Sequence, residues 1–366
     1  MSPNKRTGRK RDYVGVLSSV FAIVIGLLVG FVILLICNPS QALPGFVTIL
    51  TGAFTHGLKG VGQVFYYATP IILTGLSVGF AFKTGLFNIG TPGQFIVGAF
   101  AAVYVGIMWT GLGRIQWAVA LLAAILGGAL WGMVPGVLKA CFNVNEVIAS
   151  IMMNYIGMYM VNWIVKSYKP LFNNLRNESR NVAATAQIPK MGMDKLFPES
   201  SVGGGILLAV AAVLLIWVIL NKTTFGYELK AVGFNRDAGR YAGINEKRNI
   251  IMSMAIAGAI AGMAGGLLYL AGTGKHIEIK DVLAAEGFTG ISVALLGLSH
   301  PIGVLFSGLF IAYLTAGGFY LQLFEFSTEI IDIIVAVIIY FSAFALIVKT
   351  ILTRVNKNRE KGDGQS

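Results

Sequence analysis

Ten apolar runs, each about as long as a bilayer is thick, dominate the chain: 14–37, 62–82, 94–110, 117–140, 146–166, 203–221, 250–271, 283–298, 302–320 and 330–349. A spanning helix needs about 20 such residues, and in lipid only structures that satisfy their own backbone hydrogen bonds persist. Charged residues make up 12% of the 366 positions, against roughly 25% in soluble domains, which is too little to coat a water-facing surface. The expectation is an all-α integral membrane protein of about ten transmembrane helices. It divides into a basic N-terminus (1–13), a polytopic domain (14–349) and a tail (350–366).

The formal net charge of +12 is gathered at run borders: Lys5 to Arg11, Lys222 to Arg248 and Lys349 to Lys361. That is how topology signals are distributed, and no soluble fold accompanies them to present a nucleic-acid surface. With both termini inside, the inner segments hold 18 Lys and Arg and the outer segments 10, so the bias places both termini in the cytoplasm. Cys37 and Cys141 give neither a disulfide framework nor a metal spacing. The first run is too long for a signal peptide and lacks an Ala-x-Ala site, and LLIC at 34–37 imitates a lipoprotein box poorly.

Carriers driven by ions place carboxylates, His or Arg near the bilayer centre. Here Glu146, Glu286, Glu329 and Asp332 fall at run ends, and His56, His276 and His300 in loops or at boundaries. No nucleophile has a base nearby, and Gly274-Lys275-His276 lacks the first glycine and the hydroxyl of a phosphate-cradling loop. A self-sufficient transporter, a channel and a membrane enzyme are all disfavoured, and work must come from a separate cytoplasmic ATPase. Small residues at four-residue spacing (Gly75 and Gly79; Gly128, Gly132 and Gly136; Gly258, Gly262 and Gly266) predict close helix contacts.

Two loops are long: 167–202 outside and 222–249 inside. The inner one, between the sixth and seventh runs, contains two short helix-prone pieces separated at Gly233, with Thr224 and Asn235 as N-caps. It reads either as a docking platform or as a solvated amphipathic loop. The segment 87–94, FNIGTPGQ, breaks a helix near the membrane, and Asn88 and Gln94 flank the break. Such backbone lines a cavity or is buried in protein, so it is a pathway wall or simply a turn between spans.

TTFGYELKAVGFNRDAGRYAGI (223–244) resembles the coupling loop of bacterial ABC importer permeases of the ribose, branched-chain amino acid and nucleoside group. FNIGTPGQ, NEVIASIMMNY (145–155) and GFTGISVALLGLSHPIG (287–303) are similar to further segments of that group, in its order, over about 62–348. Pro92 stands where nucleoside-type members usually carry an acid, Thr289 where Asp is common, Lys230 where Arg is common, and Gly239 where Ala is common. The resemblance is closest to permeases for purine nucleosides, with a sugar such as ribose as the alternative solute. It implies a multi-pass permease of the bacterial cytoplasmic membrane that binds no cofactor itself. Its implied partners are an ATPase carrying ATP and Mg, a second and shorter homologous permease, an extracytoplasmic solute-binding protein or lipoprotein, and membrane lipid.

The expected ATPase-coupling residues are Gly226, Ala231, Gly233, Asn235, Ala238 and Gly243, since small residues let a helix sit in a cleft on the ATPase. The expected pathway residues are Asn88, Gln94, Asn145, Glu146, Asn154, Phe288 and Thr289. Amides and an aromatic ring suit a neutral, flat, hydroxylated solute. Glu146 reads equally as a helix N-terminal charge, and Phe288 equally as packing.

Overall fold

The computed structural model describes residues 5–327 and a few positions between 330 and 350, with side chains from Val20 onward. The expected run 330–349 and tail 350–366 therefore lie, but for those positions, outside the described residues. The helices are α1 (Lys5–Cys37), α2 (Ala42–Thr55), α3 (Gly57–Lys83), α4 (Thr91–Met108), α5 (Gln116–Phe142), α6 (Glu146–Ser167) and α7 (Met193–Leu196). There follow α8 (Gly205–Lys222), α9 (Thr224–Phe234), α10 (Arg236–Tyr241), α11 (Glu246–Tyr269), α12 (Ala285–Leu296) and α13 (Pro301–Phe319). Two strands, β1 (Phe172–Asn173) and β2 (Glu178–Ser179), pair as a small antiparallel hairpin in the loop 167–202, expected outside.

Seven helices among the described residues are long and apolar enough to cross a bilayer: α3, α4, α5 with its preceding turn, α6, α8, α11 and α13. Three apolar helices are shorter: Ile23–Cys37 within α1, α2, and α12. Two expectations change. The run 283–298 yields only the 12 residues of α12, about 18 Å at 1.5 Å per residue, which falls well short of a bilayer. Its first residues remain extended, and Leu298 and Ser299 take positive φ just beyond its end. In addition, α2 occupies 42–55, where Pro44, Gly45, Gly52 and three threonines interrupt the apolar pattern enough that no run is legible.

The chain forms two compact units, one of Met1–Gly52 with Leu314–Ser366, the other of Ala53–Tyr313. In the first, Phe31 and Phe46 meet at 5.0 Å between ring centroids. Gly45 faces Phe326 and Leu321 there, and Gly317 lies on the Ile49 backbone.

The second unit holds everything that follows. Its centre is the contact of α11 with α5 and α4, and glycine makes it. A Cβ placed on Gly258 would fall on the Gly128 carbonyl, one on Gly262 on the Ala124 carbonyl, and one on Gly265 on the Phe95 carbonyl. Gly98 of α4 abuts Gly262 as well. The glycine ridges are thus helix-packing surfaces: in lipid, where tails are as apolar as leucine, backbone proximity and van der Waals contact hold helices together. On α3, Gly75 admits Val293 of α12 and Gly79 faces Val304 of α13, and Ser77 Oγ donates to the Ala257 carbonyl of α11 at 2.7 Å.

Gly262→Ala should destabilise the purified protein by about 1–3 kcal/mol through overpacking. Gly111→Ala, at a glycine with nothing within 4 Å of the added atom, should stay within about 0.5 kcal/mol. Unfolding curves in mild detergent read the difference, and equal midpoints for the two variants would contradict the role given to α5 and α11.

Candidate functional site

Between Lys83 and Thr91 the chain leaves the helix inside the membrane domain. Gly85 has φ +75°, a conformation costly for residues with a Cβ. Pro92 sits in the first turn of α4, where its missing N–H costs nothing and its fixed φ favours the helix. Freed backbone groups need partners; the side chains of Asn88 and Asn154 supply them, and Gln94 holds Asn88. Asn88 Oδ1 accepts from Gly90 N at 3.0 Å, closing the turn. Asn88 Nδ2 donates to Gln94 Oε1 at 2.9 Å, and Gln94 Nε2 donates back to Asn88 Oδ1 at 3.1 Å. From α6, Asn154 Oδ1 accepts from Gly93 N at 2.8 Å while its Nδ2 donates to the Ile89 carbonyl at 3.0 Å. All three side chains are at most 1% exposed.

Both flanks of this break are touched by other elements. On one flank, Gly233 of α9 lies backbone to backbone on Thr84 and Gly85: a Cβ on Gly85 would come within 2.5 Å of Gly233 Cα, and one on Gly233 within 2.6 Å of the Thr84 carbonyl carbon. The Thr84 hydroxyl also bonds the Ala81 carbonyl at 2.8 Å and meets the Ser253 hydroxyl of α11. On the other flank Gly287, in the first turn of α12, abuts Pro92, where a Cβ would come within 2.6 Å of Pro92 Cα. Phe288 and Thr289 therefore begin beside the break. Phe288 is 42% exposed, and Thr289 Oγ1 turns back to the Ala285 carbonyl at 3.1 Å.

Of the expected pathway residues, Asn88, Gln94 and Asn154 come together, with Phe288 and Thr289 adjoining through Gly287. Asn145 and Glu146 do not join them. Asn145 caps α6 by accepting from Val147 N at 2.9 Å, and Glu146 pairs with Lys139 at 2.8 Å, closing the corner between α5 and α6. Both placements suit the helix N-terminal reading.

The inner loop forms two short helices, but they part at Asn235, with Gly233 inside α9. Asn235 caps α10 by accepting from Ala238 N at 3.0 Å. The cap of α9 is Thr223, which accepts from Gly226 N at 3.0 Å, in place of the expected Thr224. That shift follows from the extended backbone at Thr223, the conformation a cap requires. Gly226 is buried on the Ile219 carbonyl, and Gly239 packs on Val232. Gly243 turns the chain at φ +79° with open space around it, Ala238 is exposed and Ala231 half-buried. What the small-residue reading missed are Tyr227, Phe234 and Tyr241, which are 71%, 92% and 94% exposed. Their seven-residue spacing was the available signal.

On the opposite side of α8, the outer hairpin is laced to the segment before α12. Ser179 N donates to the Ile277 carbonyl at 2.9 Å and Ile279 N to the Asn177 carbonyl at 3.1 Å, while Ile277 N donates to Ser179 Oγ at 3.0 Å. Asn162 of α6 donates to the Lys280 carbonyl at 3.0 Å and to Asp281 Oδ1 at 3.2 Å, and Lys275 pairs with Glu286 at 3.0 Å. The hairpin borders an open cavity of about 770 Å³ whose lining includes Lys169, Arg176, Arg180, Glu178 and His276. Nearby, the hydrogen bond from the Lys280 ammonium, 2.7 Å away, holds the Glu278 carboxyl below the ordinary carboxylate range.

The family described as "Branched-chain amino acid transport system / permease component" matches residues 60–343. The guanosine ABC transporter permease protein NupP of Bacillus subtilis is 38% identical over 92% of this chain and 96% of its own length. The nucleoside ABC transporter permease protein NupB of Lactococcus lactis is 34% identical over 93% of each. The glucose ABC transporter permease protein TsgB13 of Haloferax volcanii is 32% identical over 81% of this chain and 78% of its own. No solved structure matches the chain.

Asn154→Leu removes the partner of one buried N–H and one buried C=O, so it should cost roughly 2–5 kcal/mol. Asn145→Ala, which removes an exposed cap, should cost about 1 kcal/mol. The order of the two unfolding midpoints in detergent checks this, and a reversal would mean that the amides do not hold the break.

Proposed function

We propose that this chain, which belongs to the family of branched-chain amino acid transport system permease components, is the membrane-spanning subunit of an ATP-binding-cassette importer that carries nucleosides into the cell. The observation that carries this reading is the likeness to a guanosine permease along nearly the whole of both chains. The chain is a transport subunit and not an enzyme, with ATP hydrolysis on a separate subunit. A sugar is the second reading, favoured by the glucose permease relative.

In this proposal the chain is a multi-pass protein of a bacterial inner membrane with both termini cytoplasmic. The pathway runs past the break: Asn88, Gln94 and Asn154 keep its wall in shape, and Phe288 with Thr289 borders the route. A ring beside fixed amides suits a flat solute without net charge, because stacking and hydrogen bonding need none. A second permease completes the pathway, an extracytoplasmic binding protein delivers solute to the outer loop, and ATP with Mg resides on the ATPase.

The ATPase meets the inner loop. Gly226, Gly233 and Gly239 are taken up in contacts of the loop with its own surroundings, so they shape the platform, with Ala231, Asn235, Ala238 and Gly243 setting its helices and turns. The rings of Tyr227, Phe234 and Tyr241 stand outside it. Aromatic anchors of this kind carry most of the energy in protein interfaces.

Uptake of radiolabelled guanosine by cells with and without the gene tests the whole reading, together with recovery of an ATPase on the tagged chain in mild detergent. A chain that concentrates guanosine alone, in vesicles without nucleotide, would overturn it. Phe234→Ser and Tyr241→Ser should each leave membrane insertion intact and weaken ATPase retention by about 2 kcal/mol, roughly thirtyfold in affinity. Quantifying the ATPase retained on equal amounts of permease measures this.

A further inference from the structure

We infer that the break between α3 and α4 is the node where the inner loop and the outer segment both act on the pathway, and that Gly85, Gly233 and Gly287 are positioning residues for transport. This rests on the proposed importer reading and adds to it the place where force is applied.

The inner approach is rigid. Gly233 meets Thr84 and Gly85 through backbone atoms alone, so no side chain is interposed to yield. Behind it, α9 is seated on α8 through Gly226 and the Ile219 carbonyl, and Glu228 accepts from Asn249 of α11 at 3.3 Å. A displacement of the loop by a partner therefore acts on residues 84 and 85 directly, together with the α8 and α11 positions on which α9 is seated.

The outer approach ends a few residues further along the same segment. The outer hairpin, the stretch 277–281 and the end of α6 are joined by the hydrogen bonds given above, and that stretch runs directly into α12. There Gly287 presses with its backbone on the backbone and the rigid pyrrolidine ring of Pro92. The contacts of Gly128 with Gly258 and of Gly98 with Gly262 join one long span to another. The contacts of Gly233 and Gly287 instead join each loop-bearing element to a border of the break, Gly233 at Thr84 and Gly85 and Gly287 at Pro92 in the first turn of α4.

Between the two contacts lies a closed hydrogen-bond network. Asn88 and Gln94 bond one another, and Asn154 bonds both sides of the turn. A buried network of this kind does not stretch continuously, since moving residue 85 or residue 92 requires some of these bonds to exchange together. Packed and hydrogen-bonded elements with discrete arrangements convert small displacements into switches. Solute arrival outside and nucleotide events inside would then bias one element, which is what couples two distant sites.

The test uses the complete importer, permease with its co-purified ATPase and companion subunits, in proteoliposomes, and reads ATP hydrolysed per guanosine imported. Gly233→Ala and Gly287→Ala should each raise that ratio by about fivefold or more, with ATPase retention unchanged. Gly111→Ala should leave it as in the wild type. A merely structural role would lower hydrolysis and uptake together and leave the ratio of assembled complexes constant, and that result overturns the inference. Should Gly233→Ala fail to assemble, Ser253→Ala, which deletes the hydroxyl facing Thr84 and adds no volume, decides: a raised ratio supports the node and an unchanged one overturns it. A wild-type chain that retains no ATPase would instead bring down the importer reading, before any variant is compared.

Discussion

Lipid offers the backbone no hydrogen bonds, and the rest of this molecule is arranged around that fact. Helices satisfy it by their own geometry. The stretch from Thr84 to Gly90 cannot do so alone: Asn88 and Asn154 act as surrogate backbone partners and Gln94 holds Asn88 in place, each almost wholly buried. An unsatisfied buried amide or carbonyl costs about 1–3 kcal/mol, so a break without these side chains would revert to continuous helix or unfold locally. The same amides are committed to the protein itself, which makes them holders of a shape more than grips for a solute.

A held break needs an unyielding frame, and glycine supplies it by a different route. Where α11 crosses α5 and α4, several contacts run from a glycine position to a facing backbone carbonyl or Cα. Helices at that distance cannot slide without colliding, whereas larger interdigitated side chains could change rotamer. The frame also carries the ends of the network, since Thr84 reaches Ser253 on α11 and Ser77 reaches Ala257 on the same helix. Rigidity is therefore concentrated on the flanks of the one segment that departs from helix.

Much of this was legible in the sequence, for physical reasons that differ from part to part. Apolar runs reveal spans because lipid selects on length and hydropathy alone, and the glycine ridges showed in the four-residue spacing of Gly258, Gly262 and Gly266. FNIGTPGQ announced a break through Pro92 and two glycines. Less visible was what depends on pairing between distant residues: that Asn154 would answer Gly93 across 61 positions, or that Gly287 would find Pro92. The short length of α12 was hidden because an apolar stretch looks the same whether it is helical or partly extended. In the loop 222–249, attention to small residues passed over Tyr227, Phe234 and Tyr241, whose seven-residue spacing was visible in the sequence while their exposure is a property of the folded surface.

The two faces of the unit also differ in the kind of contact they offer. The inner loop presents aromatic rings on short helices with polar caps, an arrangement suited to seating in a preformed cleft. The outer hairpin presents cations around an open cavity, with Glu178 the carboxylate among them, an arrangement suited to long-range attraction and reversible contact. Electrostatic surfaces govern encounter rate and specificity, while buried rings govern how long a complex lasts. Through Gly233 on one side and Gly287 on the other, both surfaces lead to the borders of the same broken helix.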